Sequence, residues 1–516
     1  MRGHRCDVVV FALAIACGHG DDAAIPGTDA TGDRGPCGAD DYDEGIACVS
    51  ILPARGVDLL FVIDRSARMG PAQAKLARAM PALVEALGAL PEDVGVRVAF
   101  TAAEDPVPPC PEVGPAELLL VSCREYLQDF SIVDGDDASA TACTDVCALE
   151  AIATVPHGRP DGDGPWIEWD RHGSNLGGVD VAAALACATP QGIAGCGFPA
   201  PIGASIRAIE QLSTPYRPMV AVLVSDAADC TLMDDDGDLV FDPDSNQTFW
   251  TDPDADAPMP AICWNAGVTC EGPADGYDAC VPADKDFAGE PAGWMARVLT
   301  HAEAVLSAAA PVEFVGIVGV PEGWQRGDAI PFADAEDPAI QREYGIGPGC
   351  VAADGSFGLP PVRVRAFVEA NPVASDGDAA LWSICAEDWA PAMRAIAARA
   401  RSMVQPSCVS LCVADLDAAD GLQHDCAVSL TMPVDNELVT EAVPRCDGSL
   451  DAAIVPEGAS ACWLPRAGAA RSAECSDAGW NLEIDVHWPG PIPAGADLVA
   501  ACTASRDRTV DCPGLP

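Results

Sequence analysis

The sequence predicts an α/β protein: a three-layer, Rossmann-like domain with a central, mostly parallel sheet, followed by a small β-rich domain held by disulfides. Two observations predict this class. From residue 57 onwards, short apolar runs of strand length alternate with longer segments of helical periodicity. Past Gln405 the pattern changes to short alternating segments among eight cysteines, which is typical of a small disulfide-rich β domain.

Three short runs, residues 57–63, 219–225 and 312–320, are apolar except at Asp58, Ser225 and Glu313. They indicate strands buried on both faces, as in a parallel sheet. Residues 94–100 are the next strand candidate, and residues 362–368 predict one more.

Helices are predicted between these strands. Leu76, Met80, Leu83 and Leu87 recur at helical spacing, and Pro81 among them predicts a kink or a broken turn. Further helices are predicted at the ranges that follow: 179–187, 201–212, 294–309 and 389–403. The last of these should place alanine and methionine on one face and arginine on the other.

Four regions follow from these patterns. Residues 1–17 form an export signal, residues 18–56 an acidic tether, residues 57–404 the α/β domain and residues 405–516 the β domain. Two cysteine-bearing, acidic stretches, about 105–173 and 229–290, interrupt the strand–helix alternation and are predicted to be insertions.

The N-terminus has an export pattern. Basic residues precede a short apolar stretch, and Ala14-Ile15-Ala16 comes directly before Cys17. This resembles the lipobox of bacterial lipoproteins, which implies lipidation of Cys17 and an outer-membrane or cell-surface location. Simple secretion, to the periplasm or the medium, is the alternative.

The charge and the cysteine content limit the classes of partner and the kind of cross-link that the chain is expected to have. The formal net charge of -51 disfavours nucleic acid and anionic lipid and attracts divalent cations, although solubility or a salty habitat is the favoured explanation of this charge. Of 24 cysteines, 22 remain after Cys6 and Cys17. An even number in an exported chain predicts disulfides.

Polar residues follow the first buried strand at once, as Asp64-Arg65-Ser66-Ala67-Arg68. This resembles the Asp-x-Ser-x-Ser metal loop of von Willebrand factor A (vWA) domains, with Arg68 in place of the second serine. Asp226 ends a later strand in the same way. The stretch 197–203, GFPAPIG, lacks the threonine that the family's second loop supplies. The sequences GCGF at 195–198 and SICAEDW at 383–389 also resemble exported vWA lipoproteins of predatory soil bacteria.

The resemblance implies a degenerate metal-dependent adhesion site. Asp64, Ser66 and Asp226 would hold Mg²⁺ or Mn²⁺, and a partner's carboxylate would complete the shell. Alternatively, the guanidinium of Arg68 pairs with one of the aspartates and takes the place of the metal. A third alternative is that both aspartates simply cap the helices that follow.

A second candidate site lies in the acidic insertion. Asp234, Asp236, Asp238 and Asp242 surround a glycine, an alternation that resembles calcium loops. The pattern of an EF-hand fails, because Ser245 stands where the closing glutamate belongs. The alternative is a solvated acidic loop.

The sequence therefore predicts an exported, surface-anchored binding or adhesion module that contacts a protein or a glycan. Arg68 and the loops around it are the predicted partner-binding residues. The alternative is a metal-free structural or scaffolding lipoprotein of the envelope. No HExxH or GxSxG motif occurs, so an enzyme is not predicted.

Overall fold

A computed structural model describes most of the chain. The described ranges are 46–50, 56–90, 94–104, 117–132, 137–156, 164–212, 217–231, 240–241, 247–252, 254–283, 285, 312–370, 380–404, 408–409, 411–416, 422–434, 437–450, 452–488 and 497–515. The predicted lipidation site Cys17, the calcium loop at Asp234, Asp236, Asp238 and Asp242, and the helix predicted at 294–309 lie outside the described residues.

A seven-stranded sheet forms the centre of the larger unit. Its strands are β2 (Gly56–Ile63), β3 (Gly95–Ala102), β4 (Trp166–Asp170), β5 (Gly173–Ser174), β6 (Met219–Val224), β9 (Val312–Val318) and β12 (Leu381–Ser383). The order is β12-β9-β6-β2-β3-β4-β5. The first five strands run parallel and the last two pairings are antiparallel. The predicted three-layer α/β class is confirmed.

Helices cover both faces of this sheet. They are α1 (Gly70–Leu87), α2 (Val181–Ala188), α3 (Pro201–Leu212), α6 (Val362–Ala370) and α7 (Ala390–Met403). One core joins α1, α2 and α7 to alternate residues of the strands, such as Phe61, and the other joins α3 and α6 to their neighbours, such as Leu60. Because successive side chains of a strand point to opposite faces, the apolar run of β2 serves both cores.

The two predicted insertions have small cores of their own. The first packs around Phe130 and the disulfides Cys123–Cys143 and Cys147–Cys187. The second holds α4 (Ala261–Gly267), β7 (Val268–Glu271) and β8 (Ala279–Pro282), with disulfides Cys230–Cys263 and Cys270–Cys280. Beyond it lie α5 (Pro338–Tyr344) and a short hairpin of β10 (Cys350–Val351) and β11 (Phe357–Gly358).

The C-terminal unit is β-rich, as predicted. Its elements are β13 (Cys426–Val434), β14 (Glu437–Val443), β15 (Asp447–Ser449), β16 (Ala452–Ile454), β17 (Cys462–Ala467), β18 (Leu482–His487), β19 (Asp497–Thr503), α8 (Ala473–Asp477) and α9 (Arg508–Asp511). All eight of its cysteines are paired, as Cys408–Cys475, Cys412–Cys512, Cys426–Cys502 and Cys446–Cys462. Nine disulfides join described cysteines, which agrees with export to an oxidising compartment.

The tether prediction fails for residues 46–50. These residues form β1 (Ile46–Ser50), which pairs antiparallel with β19 from Ile46–Thr503 to Ser50–Val499 and extends the sheet β1-β19-β13-β14. Four of the five residues of the segment IACVS have high strand propensity or are small and apolar, a weak signal that the acidic surroundings obscure. The β domain therefore contains one strand that precedes the α/β domain in the sequence, together with the strands that follow it.

Two further expectations are wrong. Residues 362–368 are helical in α6, because Val364, Phe367 and Val368 meet the same core at helical spacing and Pro360-Pro361 provides a start. Helix α7 also buries Arg399 beside Ala400, with its guanidinium 3.3 Å from a carboxylate oxygen of Glu313. Helix α1, in which the sequence predicts a kink or a broken turn at Pro81, continues through that residue to Leu87.

A buried ionic cluster lies on β2, β3 and β4. Asp58 accepts hydrogen bonds from the Nε atoms of Arg97 at 2.8 Å and of Arg217 at 2.7 Å, and Arg217 also lies 3.7 Å from Glu168. Gly56 leaves room for Arg217, since a Cβ there would lie 2.1 Å from the guanidinium. Two arginines thus balance two carboxylates in the interior.

No helix in the described residues is both long and apolar enough to cross a membrane.

We predict that alternate amides of residues 47–50, those that donate to β19, exchange slowly with solvent, because β1 is an edge strand that pairs antiparallel with β19. Hydrogen exchange measured by mass spectrometry on the full chain checks this. Exchange of these amides at the rate of an unstructured peptide would restore the tether prediction.

We predict that Asp58→Ala lowers the free energy of unfolding by about 3–5 kcal/mol, because it removes the buried carboxylate that pairs with two buried guanidinium groups. Urea denaturation followed by tryptophan fluorescence measures the change. Glu150→Ala is the matched control, since its carboxylate pairs with Arg124 but is 79% exposed. A loss of about 1 kcal/mol or less is expected there.

Candidate functional site

The two aspartates predicted from the strand ends meet at one edge of the sheet. Strands β2 and β6 are parallel neighbours with Ile63 opposite Val224, so Asp64 and Asp226 follow the same edge. The backbone N–H of Asp64 donates to the carbonyl of Val224 at 2.9 Å, which ties the two strand ends together. The chain proceeds from β2 to β3 on one side and places β6 on the other. This is the switch point at which open α/β sheets bind ligands.

Both carboxylate oxygens of Asp64 accept hydrogen bonds. Oδ1 accepts from the backbone N–H of Ser66 at 2.6 Å, and Oδ2 accepts from the hydroxyl of Ser225 at 2.7 Å. The first bond spans two residues and forms an Asx turn ahead of α1. The helix-capping alternative is not seen at Asp64, because the N-caps of the helical turn 67–69 and of α1 are Ser66 and Met69, and neither makes a side-chain capping bond. The side-chain amide of Gln73 donates to the carbonyl of Asp64 at 2.9 Å and fixes the backbone.

Ser66 and Arg68 both reach Asp226. The hydroxyl of Ser66 lies 3.4 Å from Oδ1 of Asp226, and Nη2 of Arg68 lies 3.3 Å from the same oxygen. The structure therefore brings together all four residues predicted at this site. Of the two pairings left open by the sequence, Arg68 forms the one with Asp226.

Two aromatic rings hold the guanidinium of Arg68. Its Cζ atom lies 4.3 Å from the ring centre of Tyr344 and 4.1 Å from that of Phe357. The rings meet edge to face, with centres 5.9 Å apart. Only 25% of the Arg68 side chain is exposed. Such cation–π contacts are worth up to about 2 kcal/mol when the cation is desolvated.

Burial shifts the acidity of both aspartates. Desolvation, and then the negative charge of Asp226, raises the pKa of Asp64 from 3.8 to about 7, against the lowering effect of its hydrogen bonds. Desolvation also raises the pKa of Asp226, while Arg68 opposes that shift. Around neutral pH the pair therefore has room for one proton.

The GCGF loop at 195–198, next to the stretch that lacks the family's threonine, is held by a hydrogen bond and by close packing. Arg65 lies 3.6 Å from Glu104 and 3.3 Å from Asp129, and Glu104 also accepts from the backbone N–H of Cys196 at 2.9 Å. Gly195 packs so closely that a Cβ there would lie 2.3 Å from Oε1 of Glu104. This glycine is required by the packing of the GCGF loop.

Side chains of the segment that follows β6 cap the N-terminus of α3. Asp229 accepts from the backbone N–H of Ile202 at 3.3 Å, and Thr231 accepts from that of Gly203 at 2.9 Å. Arg363 lies 3.1 Å from the buried Asp229 carboxylate. The first N–H groups of α3 are therefore capped by Asp229 and Thr231, and Arg363 balances the charge of the Asp229 carboxylate.

The oxygens at this edge do not form a metal cage as they stand. Within the described part of the chain, no three histidine, cysteine or acidic side chains converge in a way that could hold an ion. The oxygens of Asp64 are occupied by Ser66 and Ser225, and Arg68 lies on the carboxylate of Asp226. Mg²⁺ requires near-octahedral oxygen ligands at about 2.1 Å, which this arrangement does not offer.

An open cleft of about 440 Å³ adjoins the cluster. It lies beyond the ends of β9 and β12. The lining residues include Pro321, Glu322, Val351, Ala353, Cys385 and Glu387. Cys385 also lines the narrow crevice beside Arg68, Lys75 and Asp226, and its disulfide with Cys350 joins the β10–β11 hairpin to this edge.

Sequence reasoning missed the groups that complete the cluster. Ser225 directly precedes Asp226, so its position at the strand end was an available signal. Tyr344 and Phe357 gave no such signal, because they come from α5 and β11, more than a hundred residues along the chain. The backbone N–H of Leu359 donates to the carbonyl of Asp226 at 2.8 Å and fixes this segment to the site.

No protein-family model matches the chain, and no curated protein matches it. Solved structures similar to it include a von Willebrand factor type A protein from Catenulispora acidiphila (10% identity, TM-score 0.25, covering 90% of this chain and 65% of that one). They also include the pilus adhesin SpaC from Lactobacillus rhamnosus GG (10%, 0.26, 89% and 42%) and three N-terminal domains of the type V pili tip protein Mfa5 from Porphyromonas gingivalis (11%, 0.25, 89% and 62%).

The matched regions cover less than two thirds of each of these proteins. TM-scores this low carry no argument about function. The α/β class of the larger unit rests on its own strand order and helical layers.

The raised pKa of Asp64 predicts a pH-dependent stability. The unfolded chain loses this proton near pH 4, whereas the folded protein keeps it to about pH 7. The free energy of unfolding therefore falls as the pH rises from about 4 to about 7, and this contribution is constant above that window. Asp64→Asn removes the effect, so its stability relative to wild type should grow across the window and then level off.

Urea denaturation at a series of pH values measures this difference. Asp137→Asn is the control of opposite sign, since hydrogen bonds to Ser139 lower the pKa of that exposed carboxyl. Its removal should cost stability above about pH 4, and this cost should shrink as the pH falls further, through the lowered pKa of the folded protein. A pH-independent difference for Asp64→Asn would contradict the assignment.

Proposed function

We propose that this chain is an exported, surface-anchored binding module of the adhesion type, and that it contacts a protein or glycan partner through the carboxyl edge of the central sheet. The observation that carries the proposal is the open cleft of about 440 Å³ at that edge. It shares Cys385 with the crevice beside Arg68 and Asp226, so the cleft and the charged cluster are neighbours at this edge. Clefts at this position are the default binding sites of open α/β sheets.

Binding is favoured over catalysis by how the polar groups are used. Asp64, Ser66, Arg68 and Asp226 are bonded to one another and to the backbone, and none of them is a histidine or a thiol. A nucleophile needs a base positioned to take its proton. At this edge the Ser66 hydroxyl lies against a carboxylate that Arg68 also contacts, and Ser225, whose hydroxyl donates to Asp64, is buried and not accessible to a substrate.

Anchoring and metal binding are separate parts of the proposal. Lipidation at Cys17 would attach the module to the outer membrane or the cell surface. Asp64, Ser66 and Asp226 would hold Mg²⁺ or Mn²⁺ only with Arg68 moved off Asp226, so the proposed partner binding does not depend on a metal at this edge. The acidic segment from Asp234 to Asp242 would hold Ca²⁺.

The alternative function is a metal-free structural or scaffolding lipoprotein of the envelope. One observation favours it: Tyr344, Phe357 and Asp226 enclose much of the Arg68 side chain, which is what a packed, non-binding edge requires. A scaffold of this kind would leave the cleft without a ligand.

The test uses fluorescent beads coated with the full mature chain, flowed over a printed glycan array and a panel of immobilised cell-surface proteins. We expect retention on at least one surface. Ala353→Trp, which fills the cleft from an exposed position, should reduce the affinity at least about tenfold, or 1.4 kcal/mol.

Ala470→Trp is the matched control, because it adds the same side chain at an exposed position of the β-rich unit. It should leave retention unchanged. Equal retention of Ala353→Trp and wild type would place binding elsewhere, and no retention on any surface would favour the scaffold.

A further inference from the structure

The Arg68 guanidinium lies where the vWA resemblance would place a divalent cation. It sits at the carboxyl edge of β2 and β6, 3.3 Å from Oδ1 of Asp226, an oxygen that the hydroxyl of Ser66 also approaches at 3.4 Å. Those two groups belong to the predicted ligand set. A cation is thus already present among them, supplied by the chain itself.

The surrounding groups hold that cation in place. Tyr344 and Phe357 present their ring faces to the guanidinium, at 4.3 and 4.1 Å. The hairpin that carries Phe357 is tied to the same edge by the Cys350–Cys385 disulfide. The guanidinium would lose both ring contacts and its ion pair if it swung out, so the arrangement resists displacement.

The hydrogen bonds of Asp64 support the same assignment. Its two oxygens accept from Ser66 and Ser225, at 2.6 and 2.7 Å, and a metal would have to displace or share them. A single positive charge beside two buried carboxylates also leaves less residual negative charge to attract a divalent ion.

We infer that Arg68 is a resident cation that replaces the metal, so that the wild-type protein binds no divalent ion between Asp64 and Asp226 and uses this edge independently of metal. The second half of this inference rests on the proposed binding function. The first half concerns the chain alone.

The inference has a reciprocal consequence. Arg68→Ser removes the resident cation and restores the Asp-x-Ser-x-Ser order of the loop. The two carboxylates and the hydroxyls of Ser66 and the new serine would then face a crevice with no guanidinium on Asp226, although Lys75 still lines it. This edge should gain a site for Mg²⁺ or Mn²⁺, which prefer such oxygens.

The experiment is calorimetric titration of Mn²⁺ into the chelator-stripped full chain. Four proteins are compared: wild type, Asp64→Asn, Arg68→Ser and the double variant with both changes. Other acidic segments that bind Mn²⁺ contribute equally to all four. We expect equal stoichiometry for wild type and Asp64→Asn, one additional site in Arg68→Ser, and loss of that site in the double variant.

Loss of a site from wild type on Asp64→Asn would overturn the inference, because it would show a metal bound despite Arg68. Absence of the additional site in a folded Arg68→Ser protein, as judged by circular dichroism, would overturn it as well. Should Arg68→Ser fail to fold, the comparison of wild type with Asp64→Asn still decides the claim.

Bead retention separates this inference from the proposed function. Retention that is unchanged in EDTA supports metal-independent binding, whereas retention abolished by EDTA, with Asp64→Asn equally inactive, contradicts it. Absence of any retention refutes the proposed function, and the titration result for Arg68 stands apart from that outcome.

Discussion

The parallel pairing of β2 with β6 is the constraint on which the site depends. It brings Asp64 and Asp226 to one edge, and burial then opposes the charge of both. Two buried carboxylates need protons, hydrogen-bond donors or a cation beside them. This chain uses all three: a raised pKa at Asp64, donors from Ser66 and Ser225, and the guanidinium of Arg68.

The same solution recurs elsewhere in the α/β unit. Asp58 is balanced by Arg97 and Arg217, Asp229 by Arg363 and Glu313 by Arg399, and all of these groups are buried. Of the 28 basic residues in the chain, only Lys75 and Lys285 are lysines, and the others are arginines. Arginine suits buried pairs, because its planar guanidinium donates in several directions and stacks on rings. Arg68 follows this rule at the position where a metal would be expected.

The strands and helices of the central unit were predictable from the sequence. Strands buried on both faces require nearly continuous apolar runs, and helix α1 has apolar residues at regular helical spacing. Residues 362–368 misled, since alternating arginine and valine resembles a strand while the buried contacts of α6 follow helical spacing. The pairing of β1 with β19 joins residues some 450 positions apart, a contact that local patterns do not encode.

The candidate site was predictable in part for the same reason. Asp64, Ser66, Arg68 and Asp226 follow strand ends, so their convergence follows from a parallel sheet. Tyr344 and Phe357 decide how Arg68 is held, yet they depend on how a distant segment folds back over the edge. The local motif at the strand end therefore indicated that acidic side chains would converge at this edge. The tertiary packing of Tyr344 and Phe357 determined that the guanidinium of Arg68 would be the cation beside them.

The most direct measurement is a crystal structure of the wild-type protein grown in excess Mn²⁺, with anomalous diffraction collected at the manganese edge. The account predicts guanidinium density against Asp226 and no anomalous peak between that residue and Asp64. A peak about 2.1 Å from the Asp64 carboxylate, with Arg68 displaced from Tyr344 and Phe357, would contradict it.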